Sequence, residues 1–208
     1  MLTLDQCLAF LAAAILLTLS PGPDNMMVLS VGIAKGRMRG IAFGLGCAAG
    51  CLSHTLLAVI GVSALIAASP LAFTALKVCG GLYLAWIGLH AIRSRGGARL
   101  DTAGAAADPA RTLFLKGMVA AAINPKVALF FLSFLPQFVV ASRGDANLQT
   151  GLLGLAFAAQ AALVFSAIGF FSGAIGAWLA RRPGADKWLD RLAGAVFIGL
   201  GLRLIVVH

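Results

Sequence analysis

Glutamate is missing from the sequence altogether, and only 11% of its 208 residues carry a charge. A water-soluble domain carries about 25% charged residues, so this chain lacks the polar surface to clothe a globule in water. Cysteine is sparse. Cys7, Cys47, Cys51 and Cys79 all fall in apolar stretches, where a thiol behaves as a small hydrophobe. Cys47 and Cys51 project in parallel from one helix face, which disfavours a disulfide, and no ligand set accompanies them, so no metal is expected. No basic segment precedes the first apolar run, whose only early charge is Asp5, so that run does not read as a cleaved leader. A phosphate loop, a His-Glu-x-x-His helix and a nucleophilic triad are also lacking, so no catalytic residue, no enzyme activity and no cofactor are expected.

Apolar sequence fills the space. Hydrophobic residues make up 61% of the chain, the mean hydropathy is +0.98, and the 25 glycines lie within apolar runs, where they suit close helix approach in lipid. This is the composition of an all-α integral membrane protein with the bilayer as its solvent. Six runs approach or exceed the ~20 residues that span a bilayer: about 4–33, 39–68, 71–91, 113–140, 148–179 and 187–206. The net charge of +9 sits between these runs, which points to membrane topology and not to nucleic acid. Lys35, Arg37 and Arg39 mark the first connection, Arg93, Arg95, Arg99 and Arg111 the third, and Arg181, Arg182 and Lys187 the fifth. Lys116, near the inner end of the fourth run, reads as a further topology anchor. The even-numbered connections are nearly bare. Basic loops stay in the cytoplasm, so a multi-pass protein of the cell inner membrane with both termini outside is expected.

The third connection, residues 93–112, is the one linker-like stretch. It separates a three-helix repeat, 1–92, from a second, 113–208. Three is odd, so the second repeat runs inverted relative to the first, an arrangement typical of transporters. The first helix is interrupted at Pro21-Gly22-Pro23-Asp24 and its counterpart, the fourth, at Asn124-Pro125-Lys126. Each proline lacks an N–H and crowds the carbonyl four residues back, which loosens Leu17, Leu19 and Ala121. Such a break survives in hydrocarbon only where it faces protein or a water-filled cavity. Asp24 and Lys126, one from each repeat, sit at bilayer depth, where a charge costs about 2.5–3.5 kcal/mol on insertion scales. They are expected to face each other across the repeat interface. Asp24 can bind a substrate ammonium or carry a proton, while Lys126 and the half-helix N-termini can receive a carboxylate. Together they suit a zwitterion. Asn25, Thr18, Ser20, Gln160 and Ser166 offer interior hydrogen bonds, and His54, central in the second helix, has a side chain suited to proton relay as well as to packing.

At "SPGPDNMMVLSVGIAKGRMRGIAFGLG", "LKVCGGLYLAWIGLHAIRS" and "FLKGMVAAAINPKVALFFLSFLPQF" the chain resembles the lysine exporter/homoserine–threonine resistance family of amino-acid exporters. The resemblance runs in the family's order over nearly the whole chain. It implies a small inner-membrane exporter energised by the proton gradient, with Pro21, Gly22, Pro23, Asp24, Asn124, Pro125 and Lys126 lining the transport site. Many members carry Asn where this chain has Asp24.

The expected activity is therefore secondary export of amino acids or related small metabolites, with a proton as coupling partner and the lipid bilayer as surroundings. Gly40/Gly44, Gly46/Gly50 and Gly169/Gly173 allow close packing within one protomer or between two, so a homo-oligomer stays open. The competing expectation is a non-transporting scaffold subunit whose charged pair only fixes assembly.

Overall fold

A computed structural model describes residues 2–94, 108–182 and 184–206, and all regular structure among them is helical. Helix α1 (Leu4–Leu19) starts at a capping box in which Thr3 Oγ1 accepts from the Gln6 amide and Gln6 Oε1 accepts from the Thr3 amide, so both orphan donors are satisfied. It stops where Pro21 supplies no N–H. Helix α2 (Pro23–Lys35) opens with proline at its first position and closes on Gly36, whose φ of +92° suits only glycine without strain. Helices α3 (Arg37–Ala68) and α4 (Pro70–Arg93) follow, the latter capped by the Ser69 hydroxyl on the Ala72 amide.

After the linker, α5 (Ala110–Ala122) ends at the second break and α6 (Pro125–Leu129) begins beyond it. The chain then winds through a π-helical turn, Phe130–Phe134, and a 3-10 turn, Leu135–Phe138. Helix α7 (Ala146–Phe170) is capped by Asp145. The run expected to be continuous over 148–179 is divided, because Phe171 leaves helical geometry (φ −88°, ψ 8°) and α8 (Ser172–Arg181) restarts beyond it. Ser172, fully buried, packs there against Gly32 of α2. Helix α9 (Ala185–Val206) completes the fold.

Among the described residues, Arg37–Gly61, Thr74–Arg93 and Ala146–Phe170 are each long and apolar enough to cross a membrane, and each bent pair forms one more such unit. The bends are alike: 57° between α1 and α2, and 51° between α5 and the Pro125–Phe138 segment. Helix α9, with Lys187, Asp190, Arg191 and Arg203, does not reach that measure.

The most extensive interfaces join α3 to α7, α4 to α9 and α3 to α5. Gly46 and Gly50 of α3 lie against the α5 backbone at Phe114 and Met118, and Gly88 of α4 lies against Gly194 of α9. Backbones so close leave no room for a Cβ, which is how lipid-embedded helices gain van der Waals contact. Gly40, Gly44 and Gly169 also pack within this chain, whereas Gly173 meets nothing. At the centre, Phe10 of α1 meets Phe130 and Phe138, and Phe130 and Phe131 both meet Phe157 of α7. The polarity is inside out: Asp24, Lys126 and Gln160 are buried while Leu163 is 75% exposed and Leu56 60%. That is the distribution a lipid-facing surface requires.

Candidate functional site

The two breaks meet, and each is completed by side chains from elsewhere. Ending α1 at proline leaves its last carbonyls without helical partners. Asn25 Nδ2 donates to the carbonyl oxygens of Thr18 (2.8 Å), Ser20 (3.2 Å) and Leu19 (3.3 Å). Lys126 Nζ donates to Leu17 O (3.2 Å) and Ser20 O (3.3 Å), with the Phe197 ring 5.4 Å away. The ammonium thus caps the negative end of a half-helix, where a cation is stabilised by the dipole as well as by the hydrogen bonds. Gly22 makes this possible, for a Cβ there would lie 2.8 Å from Lys126 Nζ.

The second break mirrors the first. Ala121 O, which Pro125 deprives of its helical donor, takes the Asn124 amide (3.1 Å) and His54 Nε2 (3.0 Å). A carbonyl only accepts, so Nε2 carries the hydrogen. Asn124 Oδ1 caps α6 by accepting from the Lys126 amide (3.0 Å), and its Nδ2 donates to Asp24 Oδ2 (2.9 Å). The capping is therefore reciprocal. Lys126 of the second half completes the first break, and His54 of the first half completes the second.

Asp24, Asn25 and Lys126 share the wall of a cavity of about 10 Å³ with Thr18, Cys51 and Phe157, room for one water molecule. Asp24 is 3% exposed and Lys126 6%. The two charges line one wall without touching: Asn124 donates to Asp24 Oδ2 and accepts from the Lys126 backbone amide, while the ammonium sits on the Leu17 and Ser20 carbonyls. Three buried acceptors there have no protein donor: Asp24 Oδ1, Asn25 Oδ1 and Gln160 Oε1. Gln160 reaches the same wall by donating from Nε2 to Thr18 Oγ1 (2.9 Å). Buried acceptors without donors favour an incoming group rich in N–H or O–H. Among the described residues no three His, Cys, Asp or Glu side chains gather closely enough to hold a metal ion.

Pro23 and Pro125 face outward and Pro21 is half-buried, so the prolines shape the site through the backbone. His54 lies on the second break with its ring 5.8 Å from that of Phe131. Phe157 and Phe165 line the cavity without having been singled out in the sequence, and Cys51, read there only as a small hydrophobe, joins them. Their signal is a face: Cys47, Cys51, His54 and Thr55 recur at helical spacing on α3, as do Phe157, Ala161 and Phe165 on α7, and all are buried.

The sequence matches the family described as LysE type translocator over residues 15–207. It is 32% identical to a leucine efflux protein of Klebsiella pneumoniae, covering 97% of this chain and 95% of the relative. A threonine efflux protein of Escherichia coli is 30% identical over 90% of this chain and 91% of its own length. A homoserine/homoserine lactone efflux protein of Salmonella typhimurium is 28% identical over 98% of this chain and 97% of its own. No solved structure matches. With a family match across most of its length and relatives covered end to end, the chain belongs to the LysE type translocators, multi-pass membrane transport proteins and not enzymes.

Proposed function

We propose that this chain exports amino acids or closely related metabolites across the cell inner membrane, coupled to protons, and binds them where its two broken helices meet. The observation that carries the reading is the set of unpartnered acceptors on Asp24, Asn25 and Gln160 beside the Lys126 ammonium. A zwitterion complements both: its ammonium supplies N–H donors to the acceptors, and its carboxylate draws Lys126 from the Leu17 and Ser20 carbonyls. Relatives named for leucine, threonine and homoserine efflux support the substrate class.

The architecture we propose is two inverted repeats of three spans. The bent pair α1–α2, then α3 and α4, make the first (1–92). The bent pair α5–α6, then α7 with α8, and α9 make the second (113–208), with 93–112 as the cytoplasmic linker. Interfaces between equivalent helices support it, since α3 packs on α7 and α4 on α9. The Lys35–Arg39 and Arg181–Arg191 clusters support an orientation with the basic end in the cytoplasm and both termini outside. Asp24 is the proton carrier in this scheme: it takes a proton from outside as substrate leaves, and loses it inside as the next molecule binds.

Counterflow in proteoliposomes tests the proposal. Vesicles loaded with unlabelled leucine, threonine or homoserine should accumulate the labelled form of at least one, and Asp24→Asn should abolish the response of net export to a pH gradient. Failure to exchange any of the three removes the amino-acid assignment.

A further inference from the structure

Helix α2 carries Asp24 and Asn25 at one end of its 13 residues and Lys35 at the other, about 16 Å of helix away from the junction. It leans on α3, α7 and α8 and barely meets α5. Across that thin seam lies one cluster of charges. Asp108 Oδ2 accepts from Lys35 Nζ at 2.9 Å and from Lys116 Nζ at 3.1 Å. Asp108 precedes Pro109, the cap of α5, and Lys116 is on α5 itself, so the carboxylate is built into α5 and Lys35 is the only member of the cluster from α2. The Arg39 guanidinium donates to the Lys35 carbonyl (3.2 Å) and steadies that end of α2.

We infer that Asp108 is a positioning residue that clasps the half-helix α2 to α5 and so closes the path from the basic end of the molecule to the junction of the two breaks. Without the carboxylate, Lys35 and Lys116 present like charges across a seam with little packing to hold it. With it, one anion offsets two cations and the seam stays shut. Lys116 orients the carboxylate and Lys35 carries the link between helices. The inference rests on reading the junction as the transport site.

Cys51 supplies the readout, because it is 1% exposed and lines the junction cavity. The purified full-length protein is treated with the charged, water-borne reagent 2-(trimethylammonium)ethyl methanethiosulfonate at one neutral pH, and modification of Cys51 is followed by peptide mass spectrometry. Asp108→Asn and Lys35→Met should each speed that modification about tenfold. Asp108→Glu should keep the parental rate within twofold, and Lys116→Met should have a smaller effect than Lys35→Met. Raising salt from about 0.05 to about 1 M, which shortens the screening length from above 10 Å to about 3 Å, should speed the parent and leave Asp108→Asn unchanged. Unchanged Cys51 rates in both Asp108→Asn and Lys35→Met would overturn the clasp. If Asp108→Asn unfolds, Lys35→Met decides alone. Labelling needs no transported substrate, so a gated thiol without export counts against the exporter reading alone. Export through a protein whose thiol is ungated counts against the clasp alone.

Discussion

A methyl group on Gly22 would press on the Lys126 ammonium at 2.8 Å, and that ammonium is the far end of a flexible side chain. Gly22→Ala should therefore leave membrane abundance near normal while moving Lys126 off Leu17 and Ser20. Transport should fall about tenfold or more, read as initial export rate at matched abundance. His54 makes a different case. Ala121 O keeps the Asn124 amide when His54 is lost, so His54→Leu should cost about 1 kcal/mol of stability, the net value of one hydrogen bond. A fall of a few degrees in Tm in detergent would show it. At this scale the sequence was only partly legible. Asp24 and Lys126 announce themselves as charges in an apolar run, but that Asn25 caps three carbonyls and His54 a fourth depends on partners up to 67 positions away. The spacing of residues along one helix cannot reveal such pairs.

The breaks are the decisive elements. Replacing Pro21 by alanine restores a donor for Leu17 O and removes a ring clash, together on the order of 3 kcal/mol in a helix interior. The restored N–H competes with Lys126 for that carbonyl. Pro21→Ala should thus keep or raise Tm while lowering export, a pairing of gain and loss expected where strain serves activity. Equal losses of stability and export would mark Pro21 as merely structural. Gly46→Leu is the contrasting change, since its neighbour is the Phe114 backbone, which has no rotamer to yield, so membrane abundance should collapse. Both broken helices could be read in advance because proline acts locally. The division of 148–179 at Phe171 could not, for no proline marks it; it accompanies a packing contact between Ser172 and Gly32 from 140 positions away. The π-helical turn after the second break likewise coincides with the burial of Phe130, Phe131 and Phe134 in one core, which the run of aromatics alone does not disclose.

For the whole molecule, the polar interior and apolar exterior agree with a chain that lacks glutamate and carries few charges. Two sets of the charges it retains bear on transport in this reading, Asp24 and Lys126 at the junction and the Asp108 cluster at the basic end. Lys35 from α2 and Lys116 from α5 face Asp108, and their hydrogen bonds, Lys35 first, hold its carboxyl below the usual carboxylate range. A depressed pKa means the clasp is intact above the ordinary carboxylate value and is lost only as pH falls through the lower one. Hydrogen exchange at 30–36 and 110–116, corrected for intrinsic rates, should stay flat from neutral pH to about 5 and rise below the ordinary Asp value of about 3.9. The small-residue motifs of α3 were ambiguous between packing within one chain and between two, and Gly40, Gly44, Gly46 and Gly50 are used within the chain. The proposed orientation rests on the basic connections alone, because topology follows charge counts and not tertiary contacts.

Everything in this reading turns on the proposed binding of the exported molecule at the junction of the two breaks. Export by cells preloaded with dipeptides tests it most directly, with amino acids followed in the medium for the parent chain and for Lys126→Ala at matched membrane abundance. The parent should release at least one amino acid well above cells lacking the chain, and Lys126→Ala should bring this release to background. Full export by Lys126→Ala would contradict it and leave Lys126 as no more than the cap of a broken helix.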